Sequence, residues 1–414
     1  MAHKNTSWID HLMKVLDHKQ IITAKEGIAP YLQNAIGAER MVDVVLKPLS
    51  TEDVVAVVKI ANDREIPIYP ISTGKNWGYG AACPVRSGGI LLDLSGMTKI
   101  IDFNNELGIV TVEPGVTQET LFNYLKSHNL SYLVPVHGGG PDCSLIGNAL
   151  ERGYGITPTA DHFAAATQLE AVLPDGSIYR SALTINNGQL IDSVFKWGLG
   201  PYLDGLFTQS NLGIVTKMTI ALQPIPEKIY NFFFWIDKED NMEAAVVGIR
   251  DTLREVGANC GSINLMNQVR ILSMMEPFPR QQTPVGEVIP APILQEMARR
   301  QKVTPWMGAG AIYANKAAIR KKLGHCCKFM LFLSPERVQF GKQIVPFIPG
   351  QLGKQATTTI ETIEETVKLI IGGPSEVALP LSYWRSGQIP VRGKTRMNPA
   401  KDGCGIIWYS PLVP

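Results

Sequence analysis

The chain is organised around a glycine-rich stretch, Tyr69-Pro-Ile-Ser-Thr-Gly-Lys-Asn-Trp-Gly-Tyr-Gly80. Its glycines, Gly74, Gly78 and Gly80, follow an apolar run that is typical of a buried strand. Glycine adopts positive φ and leaves its N–H groups uncovered, so a loop of this kind can wrap around a phosphate. A tight surface turn is the alternative, because the spacing matches neither the dinucleotide-binding G-x-G-x-x-G nor the P-loop.

Two further glycine-rich regions make a ligand the favoured interpretation. The region His137-Gly-Gly-Gly-Pro-Asp-Cys-Ser-Leu-Ile-Gly-Asn148 runs into Glu151-Arg-Gly-Tyr-Gly155, and backbone this bare usually lies against something large and flat or charged. A third cluster at 197–205 precedes a turn and strand signal at 209–217. For the second region, a long irregular crossover with tight turns is the alternative.

Composition argues against several classes of function. The 414 residues are 45% hydrophobic, enough for two or three domains with cores of their own. Lys and Arg number 39 against 37 Asp and Glu, which argues against a nucleic-acid partner or an electrostatic membrane anchor. The sequence has no long uncharged apolar run, and its N-terminus reaches a charge before a signal-like core develops, so we expect a cytoplasmic protein. The 6 cysteines lack C-x-x-C spacing, so we expect reduced thiols and no metal site.

The order of strand and helix signals predicts an α+β fold in two parts. Pro224 and Pro226 mark the expected boundary, which divides the chain into residues 1–225 and 226–414. Before the boundary, we expect helices after the N-cap Ser50 and at 117–127, and strands at 42–46, 66–69, 89–94, 99–103 and 108–112. After it, we expect a helix ending at Gly257, a helix at 359–370, and strands at 229–236, 306–313, 328–333 and 405–410. This second alternation predicts an antiparallel sheet covered by helices.

Taken together, the motifs resemble the vanillyl-alcohol oxidase and p-cresol methylhydroxylase (PCMH) family of flavoproteins. The resemblance covers nearly the whole chain and rests on four stretches in the family's order. These are 70–82 (PISTGKNWGYGAA), 112–117 (VEPGVT), 147–158 (GNALERGYGITP) with Asp161-His162, and 195–217 (FKWGLGPYLDGLFTQSNLGIVTK). It implies a two-subdomain PCMH-type FAD-binding domain followed by an antiparallel-sheet cap domain that binds the substrate.

The resemblance gives the glycine loops a role in holding FAD. The first loop is expected to cradle the pyrophosphate, and the second region and the 213–215 segment are expected to line the flavin and the adenosine. The expected cofactor-binding residues are Ile71, Ser72, Thr73, Gly74, Lys75, Asn76, Gly78, Tyr79, Leu145, Gly147, Asn148, Arg152, Gly153, Gly155, His162, Gly213, Ile214 and Val215. Asp161 and His162 are expected as structural or flavin-side contacts rather than as proton carriers.

The implied chemistry is hydride transfer from the benzylic carbon of a para-substituted phenol, or of a related aromatic alcohol, to the flavin. Such a carbon loses hydride more readily when the phenol is ionised, and a free phenol has a pKa near ~10. The site must therefore favour the anion with hydrogen bonds or positive charge. Tyr79 stands where the family places a tyrosine for this purpose, and a core aromatic that caps the loop is the alternative.

The chain departs from the family at 138–144. One branch places an aspartate near the flavin there, and the matching position in this chain is glycine. His137 and Asp142 are the nearby titratable groups, so both are candidate catalytic bases. Asp142 could equally cap the following helix, and His137 could be a loop histidine with its hydrogen bonds satisfied.

A second departure concerns the C-terminus. The family continues for roughly a hundred residues beyond the strand that matches 406–410, and that part carries a histidine for covalent flavin attachment and a Tyr-Arg pair on the phenolate. We therefore expect a fragment, a chain completed by a second one, or a decayed form. Tyr383-Trp-Arg385 could line the substrate pocket, although a packed cap strand is favoured.

The substrate and the partners are open at this point. A small aromatic substrate is expected, but the same FAD domain also supports 2-hydroxy-acid dehydrogenases and oxidases. A non-catalytic flavin-binding remnant is the third alternative. The resemblance implies a homo-oligomer and, as one option for the electron acceptor, a cytochrome subunit.

Overall fold

The structure, a computed structural model, describes residues 7–34, 36–77, 81–184, 190–198, 200–284, 286–313, 329–347, 350–385 and 396–402. The strands in these residues are β1 (Ile21–Ile22), β2 (Val44–Leu46), β3 (Ile68–Ile71), β4 (Ile90–Asp93), β5 (Ile100–Asn104), β6 (Ile109–Val112), β7 (Tyr132–Leu133), β8 (Ala166–Val172), β9 (Ile178–Arg180), β10 (Ile214–Ala221), β11 (Gln223–Pro224), β12 (Tyr230–Ile236), β13 (Cys260–Asn267), β14 (Trp306–Ile312) and β15 (Phe329–Leu333). The α-helices are α1 (Ser7–Leu12), α2 (Lys25–Leu32), α3 (Thr51–Asp63), α4 (Gln118–Ser127), α5 (Leu145–Leu150), α6 (Leu190–Val194), α7 (Met242–Val256), α8 (Gln268–Met275), α9 (Ala291–Gln301), α10 (Pro335–Ile344), α11 (Gly350–Ile370) and α12 (Pro399–Asp402).

The first sheet has the strand order β1-β2-β4-β3, and β4 pairs in parallel with β2 and β3. Helix α3 begins after Ser50, whose Oγ accepts the N–H of Asp53 at 3.1 Å, as the sequence predicts. The buried face of α3, which includes Val54 and Val57, packs against β2 and β4. Since β3 ends at Ile71, this sheet delivers the first glycine loop at the carboxyl end of a strand.

The second sheet is antiparallel, with the order β5-β6-β10-β8-β9. Its core contains fully buried residues such as Val112 and Leu121, together with Leu145 and Ile146 of α5. Helix α5 is therefore anchored in a core by its apolar side chains. This anchoring fixes the second glycine region, which leads into α5.

The third sheet, the cap sheet, has the antiparallel order β13-β14-β12-β15. Phe234 stands opposite Gly308 in the register, and a Cβ added at that glycine would lie 1.9 Å from the Phe234 ring. The glycine thus makes the space that the ring occupies. Helix α7 packs its Ala245 into the same core and ends at Gly257 with φ +57°, as predicted.

The predicted α+β fold is confirmed, with differences in detail. The strand expected at 66–69 lies at Ile68–Ile71, because the N–H of Ile66 instead closes the end of α3 by bonding to Ala61 O at 2.8 Å. Helix α11 begins at Gly350, nine residues before the predicted start. Tyr383 is fully buried as expected, but in a 3-10 helix and not in a strand. The strand predicted at 405–410 lies outside the described residues.

We propose the domain boundary between residues 225 and 226. The sheets built from residues 21–224 share no strand with the cap sheet in the part of the chain that the structure describes. Within the same part, no helix combines the length and the apolar character needed to cross a membrane.

Candidate active site

A cavity of about 1910 Å³ lies between the glycine-rich loops and the cap sheet. Its volume exceeds the roughly 300–1,000 Å³ of an ordinary small-molecule site. The loops at 69–77, 137–156 and 207–215 form one side, and β12, β13, β14 and α8 contribute to the other. The cavity therefore has room for a large cofactor together with a substrate.

The first glycine loop packs directly on α5. Gly74 has φ +66°, a conformation that favours glycine, so the chain can turn back there over the cavity. A Cβ added at Gly147 would lie 2.3 Å from Ser72 Oγ, which shows how closely the loop and the helix approach each other. The Nζ atom of Lys75 lies 5.3 Å from the ring centre of Trp77, so the loop carries its positive charge beside an aromatic face.

The loop at 137–140 is held by two side chains from other parts of the chain. Gln118 is fully buried, accepts the N–H of His137 at 2.9 Å and donates to Gly140 O at 2.8 Å. Trp77 donates its Nε1–H to Gly139 O at 2.7 Å. The loop is thereby fixed at both ends and near its centre.

His137 lines the cavity with a neutral imidazole. Its Nδ1 accepts the N–H of Gly139 at 3.1 Å, and burial lowers the pKa of the imidazole to about 4. The ring is therefore neutral at pH 7 and carries its proton on Nε2. That Nε2 is buried and has no partner among the described residues.

His162 supports this wall from behind. Its Nδ1 accepts the side-chain N–H of Asn148, and burial, assisted by the nearby His137, lowers its pKa to about 3. The two imidazole rings are 6.0 Å apart. A Cβ at Gly155 would lie 2.4 Å from His162 Nε2, so this glycine is required for the ring to fit.

Most of the predicted cofactor residues lie together on the cavity wall. Those lining it are Ile71, Ser72, Thr73, Gly74, Lys75, Asn76, Gly147, Asn148, Arg152, Gly153, Gly155, Gly213, Ile214 and Val215. Leu145 is in the core beneath the wall, and Gly78 and Tyr79 lie outside the described residues.

The two candidate bases are placed differently. His137 is on the wall, whereas Asp142 is not among the lining residues and its side chain is 42% exposed. An Asp142 carboxylate oxygen lies 3.8 Å from Nε of Arg396. The structure therefore brings His137 to the cavity and leaves Asp142 at the surface.

The sequence predicts a cap domain that binds the substrate, but not the cap residues that line the cavity. Phe233 and Trp235 of β12 and Trp306 of β14 line it, together with polar groups such as Asn264 and Arg270. Because side chains alternate along a strand, Phe233 and Trp235 point to the face of the sheet opposite that of Phe232 and Phe234. This alternation does not indicate which face of the sheet meets a ligand.

The lining is rich in positive charge. Its cations are Lys75, Arg152, Arg270, Arg300 and Lys302, and Glu151 is the one carboxylate among the described lining residues. Burial raises the pKa of the Cys143 thiol to about 12, so this lining group is neutral at pH 7. The arrangement suits an anionic ligand.

Comparison with known proteins supports a flavin site. A family model described as an FAD binding domain matches residues 42–182. The chain is 35% identical over 409 residues to 1'-carboxy-chondrochloren decarboxylase from Chondromyces crocatus, covering 97% of this chain and 74% of that protein. It is 32% identical over 418 residues to the 4-cresol dehydrogenase [hydroxylating] flavoprotein subunit from Pseudomonas putida, covering 96% and 71%. A solved structure of p-cresol methylhydroxylase with substrate bound aligns with a TM-score of 0.76 at 28% identity, over 91% of this chain and 71% of that one.

These similarities confirm FAD as the cofactor and the PCMH-type fold. The cavity fits the cofactor, because Lys75 and Arg152 carry charge opposite to that of a pyrophosphate and the glycine loops bare their backbone N–H groups. The buried Nε2–H of His137 needs an acceptor, which a flavin or a substrate oxygen would supply.

Proposed function

Because the chain belongs to the vanillyl-alcohol oxidase and p-cresol methylhydroxylase family of FAD-dependent oxidoreductases, we propose that it oxidises the benzylic carbon of a para-substituted phenol or a related aromatic alcohol. The observation that carries the proposal is the cavity, which joins the FAD-binding loops to a wall containing Phe233, Trp235 and Trp306. Aromatic side chains of this kind stack on a flat ring and exclude water from it. The relative named as a 4-cresol dehydrogenase supports a phenolic substrate.

The chain's own residues bind FAD, orient the substrate and donate hydrogen bonds. Bound FAD supplies a two-electron acceptor for the hydride of the benzylic carbon. Lys75 and Arg152 hold the phosphates, and the cap aromatics hold the substrate ring. His137 donates its Nε2–H to an oxygen in the cavity, so we assign it as a donor and not as the base that the sequence suggested. Tyr79 stays the proposed hydrogen-bond partner of the phenolate.

Oxidative decarboxylation is a second candidate, favoured by the 35% identity to a decarboxylase. In a phenol whose side chain has a carboxylate on the carbon next to the benzylic one, loss of hydride leaves the benzylic carbon electron-poor. The bond to the carboxylate then breaks, its electron pair forms the double bond of the side chain, and CO2 leaves. Both candidates begin with the same oxidation and differ in the step that follows it, since only a substrate with this carboxylate can lose CO2.

An anaerobic titration of the FAD-loaded protein tests the proposal. We expect 4-ethylphenol or 3-(4-hydroxyphenyl)propanoate to bleach the flavin absorption band, with mass spectrometry distinguishing a hydroxylated or dehydrogenated product from one that has lost CO2. Bleaching by D-lactate alone would replace the proposal with a 2-hydroxy-acid activity, and retained flavin with no bleaching would indicate a non-catalytic protein. Reoxidation by O2 and by cytochrome c should then be compared, since the 4-cresol relative is named as a subunit.

A further inference from the structure

The described residues of the cap wall of the cavity include three cations. Arg270, Arg300 and Lys302 line it, and no Asp or Glu of the described cap residues does. Arg300 is exposed and forms an ion pair with Glu276, with guanidinium-to-carboxylate distances of 2.9 and 3.1 Å. Lys302 is exposed at the left-handed residue that ends α9, with φ +55°. Arg270 is the cation of this wall that is half-buried and belongs to a helix facing the cavity.

The position of Arg270 is fixed by its helix. Its backbone N–H donates to Oδ1 of Asn267, which caps α8, at 3.0 Å. Two residues further on, Leu272 is fully buried and packs against Met297 and Trp384. The guanidinium therefore projects from an anchored turn, beside lining side chains that include Ile271 and Met274. Burial lowers the pKa of Arg270, which means that its surroundings disfavour the charge.

We propose that Arg270 binds a carboxylate on the side chain of the substrate, so that the preferred substrates are phenolic acids and not neutral alkylphenols. This inference rests on the proposed function and narrows its substrate class. A planar guanidinium can hold a carboxylate through two parallel hydrogen bonds, and an apolar surrounding strengthens such a pair. The aromatic groups of the same wall hold the ring, so one surface recognises both ends of the molecule.

The test measures ligand binding to the FAD-loaded protein. Binding is monitored through the change that the ligand causes in the flavin spectrum. The probes are 3-(4-hydroxyphenyl)propanoate and its methyl ester, which differ in one charge. We expect the acid to bind more tightly than the ester, and Arg270→Gln to weaken the acid by about 10- to 100-fold with little effect on the ester. Arg270→Lys, which keeps the charge and loses the paired geometry, should recover part of the loss.

Arg299→Gln is the matched control, since it removes the same charge from exposed surface outside the cavity lining. The inference is overturned if Arg270→Gln weakens acid and ester equally, if it leaves the acid unaffected, or if Arg299→Gln has the same effect. Flavin content and circular dichroism of each variant separate misfolding from lost recognition. Bleaching by neutral phenols without selection for the acid would overturn the inference and leave the proposed function standing. Arg270-dependent binding of the acid without any bleaching would support the inference and contradict the proposed function.

Discussion

Replacing Gln118 with alanine should loosen the cavity-facing loop at 137–140. The side chain is fully buried and makes two hydrogen bonds, at 2.9 Å from the His137 N–H and at 2.8 Å to Gly140 O. Leaving a buried donor or acceptor unsatisfied costs about 1–3 kcal/mol, so the substitution should lower the free energy of unfolding by about 2–6 kcal/mol. The lower part of this range applies if water from the cavity reaches the freed groups.

Urea unfolding followed by circular dichroism measures the loss, provided that the m value is unchanged. FAD affinity, measured by flavin fluorescence, should fall in parallel because His137 loses its fixed position. Gln118→Glu keeps an acceptor for His137 but buries a carboxylate against the Gly140 carbonyl, so its loss should be at least as large. Gln339→Ala is the control, because it removes a solvent-exposed bond of 3.1 Å to Glu364. If Gln118→Ala costs no more than this control and FAD binds as before, the loop is held by other contacts and the reasoning fails.

Acidification should destabilise the fold, because burial lowers the pKa of His137 to about 4 and of His162 to about 3 in the folded state, against an ordinary value of 6.5. With respect to these two histidines, the free energy of unfolding has its full value above pH 6.5. It falls as the pH drops toward 4, by up to about 1.4 kcal/mol per pH unit for each histidine. In pH-dependent urea unfolding, His137→Asn should flatten that slope. Gly155→Ala should abolish FAD retention on gel filtration, because its Cβ would meet His162 and a backbone carbonyl within 2.4 Å. Gly308→Ala should lower the melting temperature, because its Cβ would lie 1.9 Å from the Phe234 ring.

Each of these predictions has its own control. His128→Asn removes an exposed histidine and should leave the pH slope as it is. Gly205→Ala adds a Cβ that would make only ordinary contact, 3.5 Å from Tyr202, and should keep FAD. Combining Gly308→Ala with Phe234→Leu should restore part of the melting temperature, since it removes the ring that is displaced. A flat pH profile in the parent protein, full FAD retention in Gly155→Ala, or no rescue by Phe234→Leu would each contradict the corresponding contact.

The sequence predicted those parts of the fold that have a local cause. The cap at Ser50 and the end of α7 at Gly257 depend on neighbouring residues, so both were found at the predicted positions. The start of β3 was misplaced because the apolar run begins at Ile66, whose N–H bonds to Ala61 O at the end of α3 and so stays outside the strand. The first turns of α11 were missed because residues 350–358 are mostly polar and include two residues with low helix propensity, Gly350 and Gly353.

The site residues also divide into those with a local sequence signal and those without one. The glycine loops can be recognised in the sequence by their high glycine content, and the structure places them on one cavity wall. Gln118 and Arg270 have no such signal, because a lone polar residue in a helix usually faces solvent. Their roles depend on contacts with segments that are distant in the chain, such as Gly140 for Gln118. The exposure of Asp142 beside Arg396 is also a long-range outcome that no local motif predicts.

The protonation states around the cavity argue that it selects anions. At pH 7, His137 is neutral and donating, the Cys143 thiol keeps its proton, and burial raises the pKa of the Glu151 carboxyl. Glu151 is thus the one described lining residue that can carry a negative charge at this pH, against five cations, which include Lys75 and Arg270. Nearby positive charge lowers the pKa of a bound phenol.

The proton of the phenol should then leave to solvent, and the pH dependence of binding should follow the pKa of the ligand. A series of ring-substituted 4-ethylphenols tests this with the FAD-loaded protein. The midpoint of the binding profile should move with the free phenol's pKa. A midpoint that stays fixed across the series would instead identify a protein group as the proton acceptor, and Tyr79→Phe would be the first variant to test for it.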